Sequence, residues 1–345
     1  MLNVNVVMGG PSAEHEVSLA TGWEVYRCLD KSKYVPRAVV ISHATEFFIA
    51  PAGTDISDIA ILSAPMESEM FEGPYLPDSC APVWKNCDMA FIALHGAFGE
   101  DGIFQGYLDT LHVPYTGSGV FAGAVAMNKI ATKHLFEQHG IMTPPFSIYG
   151  KSNPGATAES IADERGFPCF VKCPQSGSSR LMDKADDIGS LRALLDEYRK
   201  EADDILVESE IRGIEMSCPV LEDSNGNPRA LQPVEIRPVS SAFFDFAAKY
   251  TDEACEEIVP APQPAGLVEE VQKTALRAHT LLGCSCLSRT DMIANDQGLF
   301  VLELNSLPGL TPNSLAPKSF ACEGGSYAEL LDIIIQRSLT LRKRS

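Results

Sequence analysis

Closely spaced cysteine and histidine pairs are missing from this sequence. Its ten cysteines include no Cys-x-x-Cys pair, and its seven histidines are scattered. Structural zinc sites and redox-active dithiols depend on such close spacing. Cys284 and Cys286 lie in an apolar run with no histidine cluster nearby. We therefore expect reduced core thiols and no zinc site.

Basic residues are also scarce. The chain has 27 Lys and Arg against 46 Asp and Glu, a formal net charge of −19. This balance argues against nucleic acid or an anionic membrane surface as the main partner. An anionic substrate would need a local basic patch and a divalent cation. No apolar run reaches about 18 residues, and residues 1–8 lack a basic segment followed by a cleavage site, so we expect a cytoplasmic protein.

The length of 345 residues predicts two or three domains. Hydrophobic residues make up 45% of the chain and charged residues 21%, which is ordinary for a globular protein. Buried strands are predicted at 4–8, 37–41 and 89–94, with helices between them. This alternation indicates that the first part is a parallel α/β unit.

The first strand ends at a Gly-Gly-Pro-Ser turn, residues 9–12, and helical spacing follows. Such a turn presents backbone N–H groups and a helix N-terminus to a ligand. We expect Ser12 as the helix N-cap and Glu16 as its capping-box partner. Glu14 is a candidate site residue, although acidic residues also stabilise a first helical turn without any function.

The strand at 89–94 runs directly into His95 and a glycine-rich segment that ends at residue 102. Functional side chains gather at the carboxyl ends of parallel strands, so we favour His95 as a site residue over a core histidine. Residues 117–122 match G-x-G-x-x-A, but no acidic residue on a second strand follows about 20 residues later, which argues against a dinucleotide fold. Residues 145–152 fail as a P-loop because Pro145 occupies the first glycine position.

A helix is predicted over 124–140, closed by Gly140. Farther along, Lys172 ends an apolar strand and a Gly/Ser loop follows at 175–179. A strand lysine beside such a loop indicates a phosphate cradle. The alternative is an edge lysine that extends its amine to water.

Two further strands are predicted at 204–208 and 216–221. Backbone amides at a strand end can bind a nucleobase, and a carboxylate such as Glu215 can accept hydrogen bonds from ribose hydroxyls. The aromatic segment 240–250 ends in Lys249 and Tyr250. Taken alone, its sequence indicates a packed Ω-loop and no particular function.

A β-hairpin with acidic residues is predicted near the end of the chain. Its strands carry Arg289, Asp291, Glu303 and Asn305, joined by the turn 295–298. If the pairing register is right, all four side chains lie on one face. Their oxygens suit Mg²⁺ better than zinc. The alternative is a hairpin with one solvated face, on which acidic residues are common.

Taken together, these segments resemble the D-alanine–D-alanine ligases of the ATP-grasp superfamily along nearly the full length. The resemblance rests on several separate motifs in the right order. They are GGPSAEHEVSL at 9–19, HGAFGEDG at 95–102 with Gln105-Gly106, PYTGSG at 114–119, FVK at 170–172 with GSS at 177–179, AKY at 248–250, and ELNSLPGLTPNSL at 303–315.

This resemblance implies an α/β three-domain ATP-grasp fold, in which an N-terminal parallel α/β domain is followed by two α+β domains that clasp ATP. The implied divisions are a substrate domain at 1–119, a central lid domain at 120–207 and a catalytic and metal-binding domain at 208–345. The implied reaction joins two D-alanine molecules through an acylphosphate, for peptidoglycan precursors. A homodimer is the usual assembly in the family.

The resemblance also implies residue roles. The nucleotide would contact Lys129, Lys172, Ser179, Glu208, Ile211, Glu215 and Lys249. Two Mg²⁺ ions, or Mn²⁺ in their place, would bind Asp291, Glu303 and Asn305. Arg289 and the Gly309 amide would stabilise the oxyanion, a contribution of several kcal/mol. Glu14, near His95, would hold the first ammonium group, with Ser178 and Tyr250 closing the site, while Ser314 and Leu315 would receive the second carboxylate.

Several positions depart from the family pattern. Arg180 and Leu181 stand where the family has Val-Gly in the lid, and a leucine does not easily adopt φ > 0. Glu210 stands where an apolar or aromatic residue flanks the adenine, and Asn128 replaces an aspartate. Phe244 and Phe246 replace tyrosines. Tyr250 is retained, and its change to Phe is associated with D-lactate use, so D-alanine is favoured as second substrate.

Other functions stay open at this point. One is a nucleotide-binding paralogue with impaired turnover because of Arg180 and Leu181, although all three candidate metal ligands are intact. Another is a related ligase with a different second substrate, such as a D-hydroxy acid or another D-amino acid. A dehydrogenase based on residues 117–122 ranks last.

Overall fold

The computed structural model describes residues 1–56, 58–175, 181–238 and 255–342 of the chain. Its strands form three sheets that follow one another along the sequence. None of the helices in these ranges combines the length and apolar character needed to cross a membrane. All ten cysteines are free thiols, which confirms the prediction of reduced cysteines; six are buried, whereas Cys322 is exposed.

The first sheet has the strand order β4-β3-β2-β1-β5. Its strands are β1 (Leu2–Gly9), β2 (Tyr34–Ile41), β3 (Phe47–Ile49), β4 (Glu72–Tyr75) and β5 (Met89–Ile92). β1 lies parallel to β2 and β5, which confirms the predicted parallel unit. β3 and β4 extend the sheet with antiparallel pairing. β5 is buried throughout, as expected for a central parallel strand.

The helices of this region are α1 (His15–Cys28), α2 (Ala60–Ser63), α3 (Ala81–Trp84) and α4 (Ile103–Thr110), with a 3₁₀ turn at Pro65–Glu67. The predicted cap of α1 is wrong, because Glu14 and not Ser12 is its N-cap residue. The Ser12 hydroxyl instead donates to the carbonyl oxygen of His95 at 2.6 Å and accepts the Glu14 N–H at 3.2 Å. Ser12 therefore joins the glycine turn to the segment that follows β5.

The helix predicted at 124–140 consists of two helices, α5 (Val120–Met127) and α6 (Lys129–Gln138). Asn128 separates them with φ −90° and ψ 96°, and its side-chain oxygen accepts the Ala131 N–H at 3.1 Å. Asparagine is among the best N-cap residues, so it ends one helix and starts the next. Gly140 follows α6 with φ +65°, as predicted for a glycine after a helix C-terminus.

The second sheet is antiparallel, with the order β6-β9-β7-β8. Its strands are β6 (Phe146–Gly150), β7 (Cys169–Lys172), β8 (Met182–Ala185) and β9 (Asp204–Ser209), and its helices are α7 (Ala158–Arg165) and α8 (Ile188–Tyr198). Cys169 and Val171 pack into the core with these helices. Because side chains alternate along a strand, Phe170 and Lys172 lie on the opposite face.

The third sheet has the order β13-β12-β10-β14-β15, and β11 pairs with β10. Its strands are β10 (Ile214–Glu222), β11 (Pro228–Ala230), β12 (Val234–Pro238), β13 (Cys255–Ile258), β14 (Leu287–Asn295) and β15 (Gly298–Asn305). Its helices are α9 (Ala265–Leu281), α10 (Leu315–Cys322) and α11 (Tyr327–Arg342). Asn295 pairs with Gly298, so the predicted hairpin is confirmed.

A buried ion pair fastens α11 to β10. Arg337 donates from Nε to Glu222 Oε2 at 2.8 Å, and the Cys286 N–H donates to the same oxygen at 2.8 Å. Burial raises the pKa of Glu222, but hydrogen bonds from His279, Cys286 and Arg337 outweigh it and hold that pKa below its usual value. Glu222 is therefore charged at neutral pH, and the pair stabilises the attachment of α11.

Candidate active site

A cavity of about 690 Å³ lies between the second and third sheets, and we call it the intersheet cavity. Many of the predicted nucleotide and metal residues line it. They are Lys129, Lys172, Glu208, Ile211 and Glu215 from the nucleotide set, and Asp291 and Glu303 from the metal set. The fold thus brings together side chains that lie far apart in the sequence.

Glu208 is buried in the cavity wall between two lysines. Lys172 Nζ lies 2.6 Å from Glu208 Oε2, and Lys133 Nζ lies 2.7 Å from Oε1. Burial alone would raise the pKa of Glu208, but the two ammonium groups outweigh it and lower that pKa. Two positive charges beside one negative charge leave this group net positive, which suits an anionic ligand.

The hairpin of β14 and β15 holds the predicted metal and anion residues in register. Arg289 pairs with Asn305, and Asp291 pairs with Glu303. Residues directly opposite each other in an antiparallel ladder share a face. All four side chains therefore lie on one side of the hairpin, as predicted.

A β-bulge produces this register, and the turn alone would not. The ladder is regular from Asn295 opposite Gly298 to Met292 opposite Val301, and continued unchanged it would set Asp291 opposite Leu302. A shift between Asp291 and Met292 places one extra residue on β15, so Glu303 faces Asp291 instead. Without the shift, Glu303 would point to the other face of the sheet.

Asp291 and Arg289 form a two-bond ion pair on this face. Arg289 donates from Nε to Asp291 Oδ1 at 2.9 Å and from Nη2 to Oδ2 at 2.8 Å, and Ser217 donates to Oδ1 at 2.6 Å. Burial disfavours the charged guanidinium, but Asp291 above all, with Glu303 and Glu100, raises the pKa of Arg289. The pair fixes one positive charge beside the candidate metal ligands.

The oxygens of Asp291, Glu303 and Asn305 fit a divalent cation. Glu303 Oε2 lies 3.2 Å from Lys129 Nζ, and its side chain is 32% exposed at the cavity. Asn305 Oδ1 accepts the Leu307 N–H at 2.9 Å. Two carboxylates and an amide oxygen form a hard donor set, typical of Mg²⁺ sites. Each oxygen has two lone pairs, so these contacts are compatible with metal binding.

A second group of predicted residues lies where the first sheet meets the loop after β15. His95 Nε2 lies 2.9 Å from Thr21 Oγ1. A Cβ atom on Gly309 would lie 3.0 Å from Ser314 Oγ and 3.9 Å from His95 Cε1, so these three residues are neighbours. Ser314 is the N-cap residue of α10, and Leu315 is the first residue of that helix.

Glu14 lies beside this group because a glycine leaves room for it. Gly96 has φ +70°, and a Cβ atom there would lie 2.4 Å from Glu14 Oε2. Any other residue would displace the carboxylate. Glu14 is 5% exposed, and its carboxyl group is buried against the backbone next to His95.

Four predicted site residues lie outside the described residues, and their roles stay predictions. They are Ser178, Ser179, Lys249 and Tyr250. The family departures at Arg180, Phe244 and Phe246 also lie outside them.

Two other departures have local explanations. Asn128 caps α6, a task that asparagine performs as well as aspartate. Glu210 lines the cavity and forms two ion pairs. Lys184 Nζ lies 2.8 Å from its Oε1, and Arg212 Nε lies 2.6 Å from its Oε2. These two cations lower the pKa of Glu210 in spite of partial burial. The carboxylate therefore belongs to an ion-paired cluster at the cavity wall.

Leu181 corrects the expectation that a leucine would avoid positive φ in the lid. It has φ +51° and is 37% exposed. The left-handed conformation costs a residue with a Cβ roughly 1–2 kcal/mol. Its backbone oxygen accepts the Cys173 N–H at 3.0 Å, which helps to hold the strained residue in place.

Leu181→Gly should therefore leave the melting temperature within a few degrees of wild type. The relieved strain and the greater entropy of the unfolded glycine are both on the order of 1 kcal/mol and oppose each other. Leu181→Val should have a melting temperature below those of both wild type and Leu181→Gly, by about 2 °C or more, because a β-branched residue tolerates φ > 0 poorly. Thermal unfolding of the three proteins checks this, and equal values for Val and Gly would contradict it.

Sequence reasoning missed two residues that contact predicted site residues or their neighbours, Lys133 and Glu100. Lys133 is 1% exposed and pairs with Glu208. The sequence of its helix does not indicate that this lysine is buried. Glu100 accepts the Gly96 N–H at 2.9 Å, and its Oε1 lies 3.6 Å from His95 Nδ1. Glu100 lies in the glycine-rich segment after β5, and this position could have marked it as a candidate site residue.

Comparisons with known proteins identify the family of the chain. Two family models match the chain, described as the D-ala D-ala ligase N-terminus at residues 3–118 and the D-ala D-ala ligase C-terminus at residues 135–336. A D-alanine–D-alanine ligase from Streptomyces griseus is 36% identical over 98% of this chain and 92% of its own length.

Solved structures agree as well. A D-alanine–D-alanine ligase from Bacillus anthracis complexed with ATP has a TM-score of 0.77 and 30% identity, covering 100% of this chain and 99% of its own. The VanG D-Ala:D-Ser ligase from Enterococcus faecalis has a TM-score of 0.84 and 27% identity, covering 98% and 99%. The predicted α/β ATP-grasp fold is confirmed, and the chain belongs to the D-alanine–D-alanine ligase family.

Proposed function

We propose that this protein is an ATP-dependent ligase that joins two D-alanine molecules to D-alanyl-D-alanine, which supplies peptidoglycan precursors. The observation that carries the proposal is the intersheet cavity, where lysines and hairpin acids from separate segments line one space. Its volume of about 690 Å³ is in the range of small-molecule sites. Membership of the family supports the same conclusion.

ATP is the proposed occupant of this cavity. Lys129 and Lys172 would contact its phosphates, together with Lys249, which lies outside the described residues. Glu208, Ile211 and Glu215, on or next to β9 and β10, would bind the base and ribose. The ATP complex of the Bacillus anthracis relative supports this assignment.

Magnesium is the proposed metal, with Mn²⁺ as a substitute. Asp291, Glu303 and Asn305 would hold it. When bound, it offsets the negative charge of the phosphates. Lys129, close to Glu303, adds positive charge on the same side of the cavity.

The proposed chemistry has two steps. A carboxylate oxygen of the first D-alanine attacks the γ-phosphorus of ATP, and ADP leaves. The amine of the second D-alanine then attacks the carbonyl carbon of the acylphosphate, and phosphate leaves. Arg289 and the Gly309 N–H would stabilise the oxyanion between attack and departure.

Other chain residues would hold the amino acids. Glu14, beside His95, would bind the first ammonium group, and Ser314 and Leu315 at the start of α10 would receive the second carboxylate. Helix N-termini favour anions, so this placement suits a carboxylate. Ser178 and Tyr250 would close the site.

The test is phosphate release by the purified protein with ATP, Mg²⁺ and D-alanine, with the products identified by mass spectrometry. The proposal expects release that requires D-alanine and yields the dipeptide. Tight binding of Mg-ATP without turnover would instead support the nucleotide-binding paralogue.

A related ligase with another second substrate is the second candidate. Similarity to the VanG D-Ala:D-Ser ligase, with a TM-score of 0.84 and 27% identity, is the reason to include D-serine in the assay. D-lactate should be included because the Tyr250 position is associated with its use. A mixed-product ratio that favours D-alanyl-D-serine would overturn the D-alanine preference.

We also propose the three-domain division, a homodimer and a cytoplasmic location. The strands of the three sheets fall at residues 2–92, 146–209 and 214–305, which supports the division. β9 extends to Ser209, two residues beyond the boundary expected from the sequence, so we propose the second boundary just after that strand.

A further inference from the structure

Lys133 is a buried lysine that the proposed mechanism does not use. It lies on α6 four residues after Lys129, so both lysines share a face of the helix. Lys129 reaches Glu303 on β15, whereas Lys133 reaches Glu208 on β9. We infer that Lys133 and Thr143 are positioning residues that couple the base-binding wall of the cavity to the metal-binding hairpin. The inference rests on the proposed function.

The Lys133 ammonium group is held on three sides. It lies 2.7 Å from Glu208 Oε1, donates to Thr143 Oγ1 at 2.5 Å, and lies 5.6 Å from the ring centroid of Phe146. The carboxylate, the hydroxyl oxygen and the ring face are all electron-rich groups that favour an ammonium ion. With 1% exposure, its direction is fixed by the protein alone.

Thr143 carries the connection to β15. Its hydroxyl donates to the Val301 carbonyl oxygen at 2.8 Å. The Val301 N–H donates to the Met142 carbonyl oxygen, also at 2.8 Å. Val301 is the last regularly paired residue before the bulge that turns Glu303 toward Asp291. Thr143 therefore fixes the strand at the point where the metal ligands are aimed.

The charge balance gives Lys133 a second effect. Glu208 carries one negative charge between Lys133 and Lys172. Because Lys133 and Lys172 share the single negative charge of Glu208, the three groups together keep a net positive charge beside the cavity. A buried hydrocarbon in place of Lys133 would leave Lys172 to neutralise Glu208 alone.

Isosteric variants separate these effects. Thr143→Val removes the hydroxyl link and keeps every charge, and Thr143→Ser restores the hydroxyl. We expect Thr143→Val to raise the Mg²⁺ concentration for half-maximal activity about tenfold, equivalent to about 1.4 kcal/mol. Thr143→Ser should restore it to near the wild-type value. Lys133→Met should also raise the KM for ATP about tenfold, because it removes a charge as well.

Arg337→Met is the matched control. It breaks a buried ion pair with Glu222 that does not line the cavity, so it should lower the melting temperature and leave the Mg²⁺ dependence unchanged. If Thr143→Val lowers only the melting temperature, like this control, the inference is overturned. If Lys133→Met does not fold, the inference can still be tested with Thr143→Val, which keeps every charge.

Direct binding measurements distinguish failure of the proposed function from failure of this inference alone. Calorimetry with Mg-ADP on the wild-type protein tests whether the cavity takes the nucleotide. A wild-type protein that binds no Mg-nucleotide would overturn both the proposed function and this inference. Normal binding and turnover, with the same Mg²⁺ dependence in wild type and Thr143→Val, would overturn the inference alone.

Discussion

Replacing Arg289 by methionine should lower kcat for ligation by about 10²–10³-fold, the loss typical of an oxyanion-stabilising donor. The guanidinium is held by two hydrogen bonds to Asp291, and neighbouring acids raise its pKa, so it is charged throughout the working range. Methionine keeps much of the side-chain volume and removes the charge. Steady-state ADP release with D-alanine measures the effect.

Two further variants test whether the loss of kcat comes from the position and geometry of the Arg289 guanidinium. Arg289→Lys keeps the charge but not the two-bond geometry, so an intermediate loss is expected. Arg229→Met removes an arginine that pairs with Glu323 away from the intersheet cavity, and its kcat should match wild type. A wild-type kcat in Arg289→Met would remove Arg289 from the proposed mechanism.

The sequence predicted the elements of this site because their patterns are local. A run of apolar residues interrupted by Glu303 and Asn305, with a turn before it, predicts a strand with two oxygens on one face whatever surrounds it. Lys172 was predicted in the same way, from a strand followed by a small polar loop. Such patterns depend on neighbouring residues in the chain, which a sequence displays directly.

The missing parts depend on tertiary contacts. The bulge at Leu302 has no glycine or other local sign, yet it decides that Glu303 faces Asp291. Lys133 lies among polar and apolar residues that fit an exposed helix face equally well. Its burial follows from Glu208 and Thr143, which belong to other segments. The helix break at Asn128 was missed because the helical pattern continues on both sides of it.

The departures from the family pattern show the same limit. Glu210 looks unfavourable beside an adenine when read alone, but Lys184 and Arg212 pair with it. Leu181 looks excluded from positive φ, but it adopts φ +51°. In both cases the neighbouring structure decides the outcome, which no single-residue preference reveals.

Glu303→Gln should lower kcat by about 10³-fold at ordinary Mg²⁺ concentrations, equivalent to about 4 kcal/mol. The substitution preserves size and one oxygen ligand but removes the charge that balances the metal and Lys129. The loss of a negatively charged ligand weakens Mg²⁺ binding, so activity should rise again as the Mg²⁺ concentration is increased. Chelation of the metal from the wild-type protein should abolish turnover and be reversed by added Mg²⁺.

The matched control is Glu215→Gln, which makes the same chemical change at the proposed ribose end of the cavity. It should raise the KM for ATP while leaving the Mg²⁺ dependence of kcat close to wild type. The two variants remove identical charges from one cavity, so only their positions differ. Glu303 has its carboxylate partner Asp291 directly opposite on the hairpin, whereas Glu215 pairs with Ile293 and Ile236. Equal Mg²⁺ dependence in both variants would mean that the hairpin is not the metal site.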